Sequence, residues 1–513
     1  MSFKISSLAL AVATLSTVSI ANAAGLDRST QPSWAFTEQG TFAYVEHIAI
    51  DPKVEGKDNA KVATTDANFT AGRNVPDMAE DYQFLNFGAK ADVNDTISVG
   101  AFFDQPWAAD VEFSGDNNFV GAPTSIVNGI YAQAAAGLQN AGIALPVTNA
   151  TELQTAISTI QNQVTAGQAR LDAANTQLTQ AQAALAANPA LAPVLTPQIT
   201  ALQQGIAAGT TQVAAGTQAV KTLSTAQAAS QNLSKVTGAT NVSVSSQNFT
   251  GLLGVKLGEK KNIQIYGGPT IQRLEGDVHL RGNAYKTASG YDANITRDTA
   301  YGWMAGIAYL KPEIALKAAL TYRSEIDHDT TTYENFPALA ARGLPTQGTN
   351  EITITTPKSV NLDFQTGINP TTLLTAKARW VPWSDFAIKP KIYNAAAIAS
   401  GNGDLNLLDY SKDAWTAEVG LGKKLSPQLA ISGAVGYDSG AGNPITSLGP
   451  VEGNWNVGLG AKYNLTPEWA VSGGVKYLMF GDAKAKLPDG SIVGDFQDND
   501  GWVYGLRLSY QKK

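Results

Sequence analysis

The segment Trp455-Asn-Val-Gly-Leu-Gly-Ala-Lys-Tyr463 decides the fold, because its residues alternate in character with a period of two. Its odd-numbered residues are apolar or aromatic, and its even-numbered residues are Asn, Gly, Gly and Lys. Successive side chains of a β-strand point to opposite faces. The segment therefore predicts a strand with one apolar face, bracketed by Trp455 and Tyr463, and one small or polar face.

The same spacing of two aromatic residues, eight positions apart on an alternating segment, recurs elsewhere in the chain. Eight strand residues tilted by about 40° span roughly 20 Å, close to the ~25 Å apolar band between the aromatic girdles of a membrane barrel. A soluble β-sandwich also alternates, but its core gives no reason to place aromatic residues at both strand ends. The pattern predicts an all-β transmembrane barrel. The further pairs are Tyr301/Tyr309, Trp469/Tyr477 and Trp502/Tyr510.

The amino-acid composition argues against several classes of function. Charged residues make up 15% of the 513 residues, below the roughly 25% of ordinary soluble domains. The chain has no cysteine, which excludes disulfides, cysteine-based metal sites and a thiol nucleophile. A net charge of −7 argues against a nucleic-acid partner. The three histidines are far apart in sequence, and we expect neither a metal nor a cofactor.

The first residues predict export. Met1–Ala23 combines Lys4, an apolar run and a small-x-small ending at Ala21-Asn-Ala23, as in a signal peptide (residues 1–23). No later run of 18 apolar residues predicts a transmembrane helix. We expect a multi-pass protein of the Gram-negative outer membrane, held there by strands.

Turns set the predicted number of strands. Six short polar turns each join two strands, and a first and a last strand bring the total to fourteen, an even number as a closed bacterial barrel requires. The turns are Asn94–Asp95, Gly258–Asn262, Lys311–Glu313, Asn369–Thr371, Ser426–Gln428 and Thr466–Glu468. The predicted strands are 41–52, 81–93, 96–113, 245–257, 262–280, 293–310, 314–327, 350–368, 372–388, 409–424, 428–439, 451–464, 468–483 and 499–511. The barrel thus takes residues 41–121 and 236–513.

Residues 122–235 differ in composition from the alternating segments and are rich in Ala, Gln and Thr. Apolar residues repeat every seven positions from Ile157 to Leu185 and again from Ile199 to Val220, with prolines between the two series. Such heptads predict an antiparallel helical hairpin with arms of about 50 Å. The insertion follows an outward-running strand, so we expect it on the extracellular side. A disordered low-complexity loop is the alternative.

Several short sequence segments, taken in their order along the chain, resemble the FadL/TodX family of outer-membrane transporters for long-chain fatty acids and other hydrophobic compounds. The segments are Ala24–Ser29, Asp104–Phe113, Leu274–Val278, Asp298–Gly302, Leu320–Glu325, Thr355–Phe364 and Leu448–Pro450. Three features depart from the family: the long insertion, the end of the chain at Tyr510-Gln-Lys-Lys513, and the absence of an Asn-Pro-Ala motif near residues 24–52.

The resemblance implies a fourteen-stranded barrel, an N-terminal plug inside it and a kinked third strand. Residues 24–40, with Leu26, Trp34 and Phe36, are too irregular for a strand and are the predicted plug. Asp104 and Pro106 are the predicted kink and lateral opening, because proline cannot donate to the ladder.

Cations on the inward face are candidates for binding a substrate carboxylate, and arginine suits that role best. Inward acids such as Asp363 and Glu418 offer a structural alternative for each of them. The candidates are Lys317, Arg323, Lys377, Arg379 and Arg507, with Lys462 and Lys476 on the same face. A predicted outer docking groove comprises Ile126, Val127, Ile130 and Tyr131, and packing of these residues against the coiled coil is the alternative.

The predicted function is passive uptake of long-chain fatty acids or related hydrophobic compounds by a monomer surrounded by outer-membrane lipids and lipopolysaccharide. An adhesin that presents the hairpin to a partner is the alternative. A barrel enzyme would need a catalytic constellation, and His328 between Asp327 and Asp329 is the one place that invites inspection. No GxSxG motif is present, so we expect no enzyme and no catalytic residues.

Overall fold

A computed structural model describes residues 26–28, 33–61, 69–342 and 344–512. The predicted signal peptide and the first residues after it lie outside the described residues. Within the described part, no helix is long and apolar enough to cross a membrane. The chain divides into two compact units, one comprising 1–121, 238–336 and 347–513, and the other comprising 122–237 and 337–346.

The first unit is a closed barrel in which the described residues form fourteen antiparallel strands, and the last strand pairs with the first. The predicted fold class and strand number are confirmed. The strands are β1 (Thr41–Lys53), β2 (Tyr82–Asp92), β3 (Ile97–Asp104 and Ala108–Glu112), β4 (Asn241–Leu257), β5 (Ile263–His279), β6 (Asp292–Lys311), β7 (Leu316–Arg323 and Ile326–Asn335), β8 (Gln347–Thr356 and Ser359–Asn369), β9 (Thr372–Val381), β10 (Ala414–Lys424), β11 (Leu429–Asp438), β12 (Glu452–Asn464), β13 (Trp469–Gly481) and β14 (Asp500–Lys512).

The predicted alternation is visible as alternating burial along the strands. On β14 the outward residues Trp502, Leu506 and Leu508 are exposed, whereas the inward Val503 and Arg507 are buried. Exposed apolar residues surround the barrel in this way, which is the surface that acyl chains require.

Three predicted strand boundaries are wrong by five residues or more. The seventh strand was expected to end at residue 327 but continues to Asn335. The ninth strand was expected to reach residue 388 but ends at Val381, because Pro382 has no N–H to donate to the ladder. The tenth was expected to begin at residue 409 but begins at Ala414. The residues between them form a long connection with the helix α5 of the first unit, Lys391–Ala399, and the paired short strands Ala387–Ile388 and Leu408–Asp409.

Long connections lie at one end of the barrel and short turns at the other; we call these the loop end and the turn end. At the loop end, five short strands form a second sheet: Gly56–Asn59, Ala71–Val75, Ile445–Thr446, Ala483–Lys486 and Ile492–Phe496. The buried carboxylate of Glu334 accepts hydrogen bonds from the backbone N–H groups of Ile392 (2.9 Å) and Tyr393 (2.8 Å). It thereby caps the first turn of α5.

Short helical segments complete the described structure. The helix α1 is Ser33–Phe36, and the 3₁₀ segments are Pro189–Leu191, Asn283–Ala288, Pro312–Ile314, Pro337–Arg342 and Trp383–Asp385.

The second unit consists mainly of α2 (Pro123–Asn140), α3 (Ala150–Ala187) and α4 (Ala192–Leu233). Asn149 caps α3 by accepting from the N–H of Glu152 at 2.9 Å. A Cβ added at Gly209 or Gly216 would lie within 3.0 Å of Leu171 or Val164 on α3, so glycine permits the close packing of α3 against α4.

Candidate functional site

The N-terminal segment, described at residues 26–28 and 33–40, lies among inward-facing side chains of the barrel. In α1, Ala35 and Phe36 are fully buried and Trp34 is almost so. They form one apolar cluster with inward residues of several strands, because a short apolar segment cannot be stable alone and must bury its side chains elsewhere. The strand residues in that cluster are Phe42, Tyr44, Phe102, Leu252, Tyr266, Met304, Ala308 and Ala319. Leu26 is also buried.

Polar contacts fasten the segment near the turn end. Lys317 Nζ lies 3.0 Å from Glu38 Oε1 and also donates to the carbonyl of Trp34 at 3.4 Å. Lys90 Nζ donates to the carbonyls of Glu38 (2.7 Å) and Gly40 (2.8 Å). A predicted substrate cation, Lys317, is therefore engaged by the chain's own N-terminal segment.

Arg507 joins the same segment to the wall. Its guanidinium carbon lies 4.3 Å from the ring centroid of Trp34, a cation–π geometry, and it forms an ion pair with Glu46. Both Arg507 and Glu46 are buried, so each charge is compensated inside the barrel.

Arg379 on β9 binds Asp27 of the N-terminal segment. Its Nε and Nη2 donate to the two carboxylate oxygens of Asp27 at 3.0 and 3.4 Å, and its Nη1 donates to Asn361 Oδ1 at 3.0 Å. Burial raises the pKa of the Asp27 carboxyl, while the guanidinium groups of Arg379 and Arg323 act in the opposite direction. The geometry is the bidentate one by which arginine recognises a free carboxylate.

Arg323 faces Asp104 at 3.5 Å, and both side chains are almost fully buried. Within the described part of the chain, neither carboxylate oxygen of Asp104 and neither terminal nitrogen of Arg323 has a hydrogen-bond partner. Two arginines and two aspartates thus meet beside the end of the first segment of β3, with part of their hydrogen-bonding capacity unused.

The remaining predicted cations lie on another part of the inner wall. Lys377 stands opposite Asp363 on β8 and opposite Glu418 on β10 in the strand register. Lys476 Nζ lies 2.7 Å from Glu418 Oε2, and Lys462 is buried. The structure therefore does not bring all the candidates into one site.

The third strand is broken at Gln105–Trp107, directly after Asp104. Against β4, the register shifts by one residue between Asp104↔Asn248 and Ala108↔Ser245. The backbone N–H of Trp107 donates to Ser246 Oγ at 2.8 Å, and that hydroxyl donates to the Trp107 carbonyl at 2.7 Å. A side chain thus replaces ladder bonds beside the proline that cannot make one.

On its other side, the broken strand leaves a gap in the wall. The β2–β3 ladder ends at Phe87↔Phe103, and a single bridge, Ala79↔Val111, continues the same register farther toward the loop end. Between them, residues 82–86 of β2 pair with β1 but not with β3, as far as the described residues show.

Backbone groups of the broken strand turn inward to the N-terminal segment instead. Arg28 N donates to the Pro106 carbonyl at 2.7 Å, and Ala108 N donates to the Leu26 carbonyl at 2.9 Å. The Arg28 guanidinium reaches the hydroxyl of Tyr82 on β2. The segment acts as a short internal strand, so the displaced backbone at Pro106 and Ala108 stays paired.

The predicted docking groove belongs to the helical unit. Tyr131 is buried in an apolar core that includes Leu153 on α3 and Leu223 on α4, and Val127 packs against that core. Ile126 and Ile130 are half-buried. Two of the four side chains therefore contribute to the interior of that unit.

His328 is a buried structural residue rather than part of a catalytic rim. Its Nδ1 lies 2.9 Å from Asp298 Oδ2 and its Nε2 lies 2.9 Å from Gln272 Oε1. Neighbouring Asp327 and Asp329 point to the opposite face, where they accept from threonines of β8. Among the described residues, no group of acids and histidines could hold a metal ion.

Sequence reasoning offered Asp363 and Glu418 as partners of the inward cations, but it missed Asp27 and Glu38 of the N-terminal segment and the inward cation Lys90. Lys90 carried a usable signal, because the alternation of β2 places it on the inward face. Asp27 and Glu38 carried none, since they lie in a segment without periodicity.

Known proteins show the same architecture. A family model described as outer membrane protein transport protein (OMPP1/FadL/TodX) matches residues 129–511. The crystal structure of a Pseudomonas aeruginosa FadL homologue superposes with a TM-score of 0.57 at 14% identity, covering 98% of this chain and 99% of that chain. The Pseudomonas putida toluene transporter TodX gives a TM-score of 0.47 at 8% identity, covering 97% of this chain and 96% of that chain. A comparison with curated proteins finds no match. The first of these structural likenesses shows the fold.

Proposed function

This chain belongs to the outer-membrane transport proteins of the OMPP1/FadL/TodX family, and from that premise we propose that it takes up long-chain fatty acids or related hydrophobic compounds by passive diffusion. Membership of this family is enough to describe the chain as an outer-membrane β-barrel of a family that transports hydrophobic compounds. The observation that carries the finer proposal is the gap between β2 and β3 beside the N-terminal segment.

The proposed transport path leaves the barrel laterally, through its wall. Inside the barrel, the apolar cluster around Trp34 and Phe36 obstructs the way toward the turn end. A hydrophobic compound that enters from the loop end leaves through the gap into the bilayer, where its apolar surface stays out of water. The gap is compatible with a stable wall because the N-terminal segment pairs with the displaced backbone at Pro106 and Ala108.

For a fatty acid, the carboxylate candidates nearest the gap are Arg323 and Arg379. Arg379 already binds one carboxylate, that of Asp27, and the terminal nitrogens of Arg323 face Asp104 without making a hydrogen bond among the described residues. A substrate carboxylate that takes the place of Asp27 would loosen the segment that blocks the interior. Lys317, Lys377 and Arg507 remain candidates too, and an inward acid also lies close to each of them.

The same proposal covers the cellular location of the protein, its oligomeric state and its binding partners. The protein acts as a monomer in the outer membrane of a Gram-negative cell, where lipopolysaccharide and other lipids contact its exposed apolar belt. Its partners are hydrophobic small molecules, and the reaction needs neither a cofactor nor a catalytic residue.

Closing the gap tests the proposal. In an unbroken β2–β3 ladder, Leu85 would stand opposite Gln105, and the chain has no native cysteine to interfere. Oxidising the variant Leu85→Cys/Gln105→Cys should lower uptake of labelled oleate into proteoliposomes at least about tenfold, and a reductant should restore it. The fall is expected because a continuous wall removes the lateral route.

The matched control is Val471→Cys/Leu508→Cys, a pair already opposite each other in the continuous β13–β14 ladder. Its oxidation should leave uptake unchanged. Undiminished oleate uptake with the β2–β3 cross-link fully formed would exclude the lateral route.

A partner-binding role for the hairpin is the second candidate. It is favoured by the finding that residues 122–237 belong to a compact unit of their own. Deleting residues 150–235 should then abolish attachment to a partner surface while oleate uptake persists. A loss of uptake on deletion would instead assign the hairpin to transport.

A further inference from the structure

A polar patch lies on the outward face of the wall, beside the gap. His47 on β1 and Gln83 on β2 are both exposed, and His47 Nε2 lies 3.1 Å from Gln83 Oε1. Gln105, in the break of β3, donates from its side-chain amide to the Leu85 carbonyl at 3.4 Å. We call His47, Gln83 and Gln105 the lip patch, because Gln83 and Gln105 stand on the two edges of the interruption and His47 contacts Gln83.

His47 stands within the apolar belt. In the β1–β14 ladder it is opposite Leu506, which lies midway between the aromatic residues Trp502 and Tyr510. Strand tilt displaces paired residues by only about 3 Å in height, from a strand spacing of ~4.8 Å and a tilt of ~40°. The imidazole therefore faces acyl chains rather than either aromatic girdle.

Polar side chains in such a position are costly and are retained chiefly where they have a function. Neighbouring outward positions such as Val45, Leu85 and Phe87 are apolar and exposed. Within the described residues, His47 and Gln83 bind only each other, so the barrel gains one side-chain hydrogen bond from the pair. His47 Nδ1 and the amide nitrogen of Gln83 have no described protein partner and can bind a ligand.

We propose that the lip patch is an exit site for the carboxyl group of an acidic amphiphile that leaves through the gap. This inference rests on the proposed function and adds to it a site for the carboxyl group of its acidic substrates. The alkyl tail enters the acyl phase without cost, whereas the carboxyl group loses water and must find hydrogen bonds elsewhere. Because Gln83 Oε1 can only accept, His47 Nε2 donates to it. The amide nitrogen of Gln83 then supplies a donor, and His47 Nδ1 an acceptor for the hydroxyl of the carboxyl group, where the head group emerges.

The test compares two probes of equal chain length in phosphatidylcholine proteoliposomes, oleate and 1-octadecene. In the double variant His47→Leu/Gln83→Leu, oleate entry should fall about fivefold, the change expected for one lost hydrogen bond, while octadecene entry should not change. His47→Gln, which keeps a polar tip, should retain most oleate entry. The matched control Thr366→Val, which removes an outward hydroxyl on β8, should change neither probe.

The outcomes separate this inference from the proposed function. Unchanged oleate entry in the double variant, or an equal fall for oleate and octadecene, overturns the exit site while transport itself stands. If the unaltered protein admits neither probe, the proposed transport fails and the exit site fails with it. Because these liposomes contain no lipopolysaccharide, a selective loss of oleate entry cannot arise from lost contact with its head groups.

Discussion

The wall at β13 and β14 and the wall at β2 and β3 are built from the same alternating pattern but differ in continuity. Every residue from Trp469 to Met479 has a partner in β14. Between β2 and β3, the ladder stops at Phe87↔Phe103 and returns only as the bridge Ala79↔Val111 among the described residues. A barrel wall can therefore be interrupted without losing its register.

The difference lies in where the backbone partners come from. In the continuous wall each strand satisfies its neighbour, as membrane strands must. In the interrupted wall, Ser246 and the N-terminal segment supply the partners of Trp107, Pro106 and Ala108. The N-terminal segment thus supports the gap as well as filling the interior.

The largest expected effect follows from breaking the tie between that segment and the wall. Arg379→Ala leaves the carboxylate of Asp27 buried without its cation, which costs about 3–5 kcal/mol. The segment should leave its seat more often, and the ion conductance of single barrels in planar bilayers should rise.

The double variant Asp27→Ala/Arg379→Ala removes both charges and should raise the conductance less than Arg379→Ala alone. A conductance of Arg379→Ala equal to that of the unaltered protein would show that this ion pair does not hold the segment.

A charge added to the outward face should destabilise the two walls to different extents, and this effect should be smaller than that of Arg379→Ala. Leu506→Arg, in the middle of the continuous belt, should lower the free energy of unfolding from lipid vesicles by about 2–4 kcal/mol. Gln83→Arg should lower it less, because it replaces a side chain that is already polar and borders the gap. Equal losses for the two variants would mean that both positions face the same apolar environment.

The smallest expected effect concerns two buried inward serines. Ser246→Ala removes both side-chain bonds to Trp107 and should cost about 1–3 kcal/mol in the same unfolding assay. Ser472→Ala on β13 is the matched variant, because the Ser472 hydroxyl has no partner among the described residues. It should cost less than about 0.5 kcal/mol. A cost for Ser472→Ala as large as that for Ser246→Ala would remove the distinction between the walls.

Much of the barrel could be predicted because its signals are local. Alternation, aromatic spacing and polar turns each operate within about ten residues, and together they indicated fourteen strands. The predicted ends at residues 327, 388 and 409 were wrong, because where pairing stops depends on the neighbouring strands and on the long connection that begins at Pro382. The break in β3 had a local signal in Pro106.

The sequence by itself determined which face of each strand meets lipid and which meets the interior, because strand geometry assigns alternate residues to opposite sides. Only the tertiary structure decided what the inward cations bind. Arg379 and Asp27 are 352 positions apart, and Arg507 and Glu46 are 461 apart. Such pairs depend on barrel closure and on where the N-terminal segment settles, and no local periodicity encodes either.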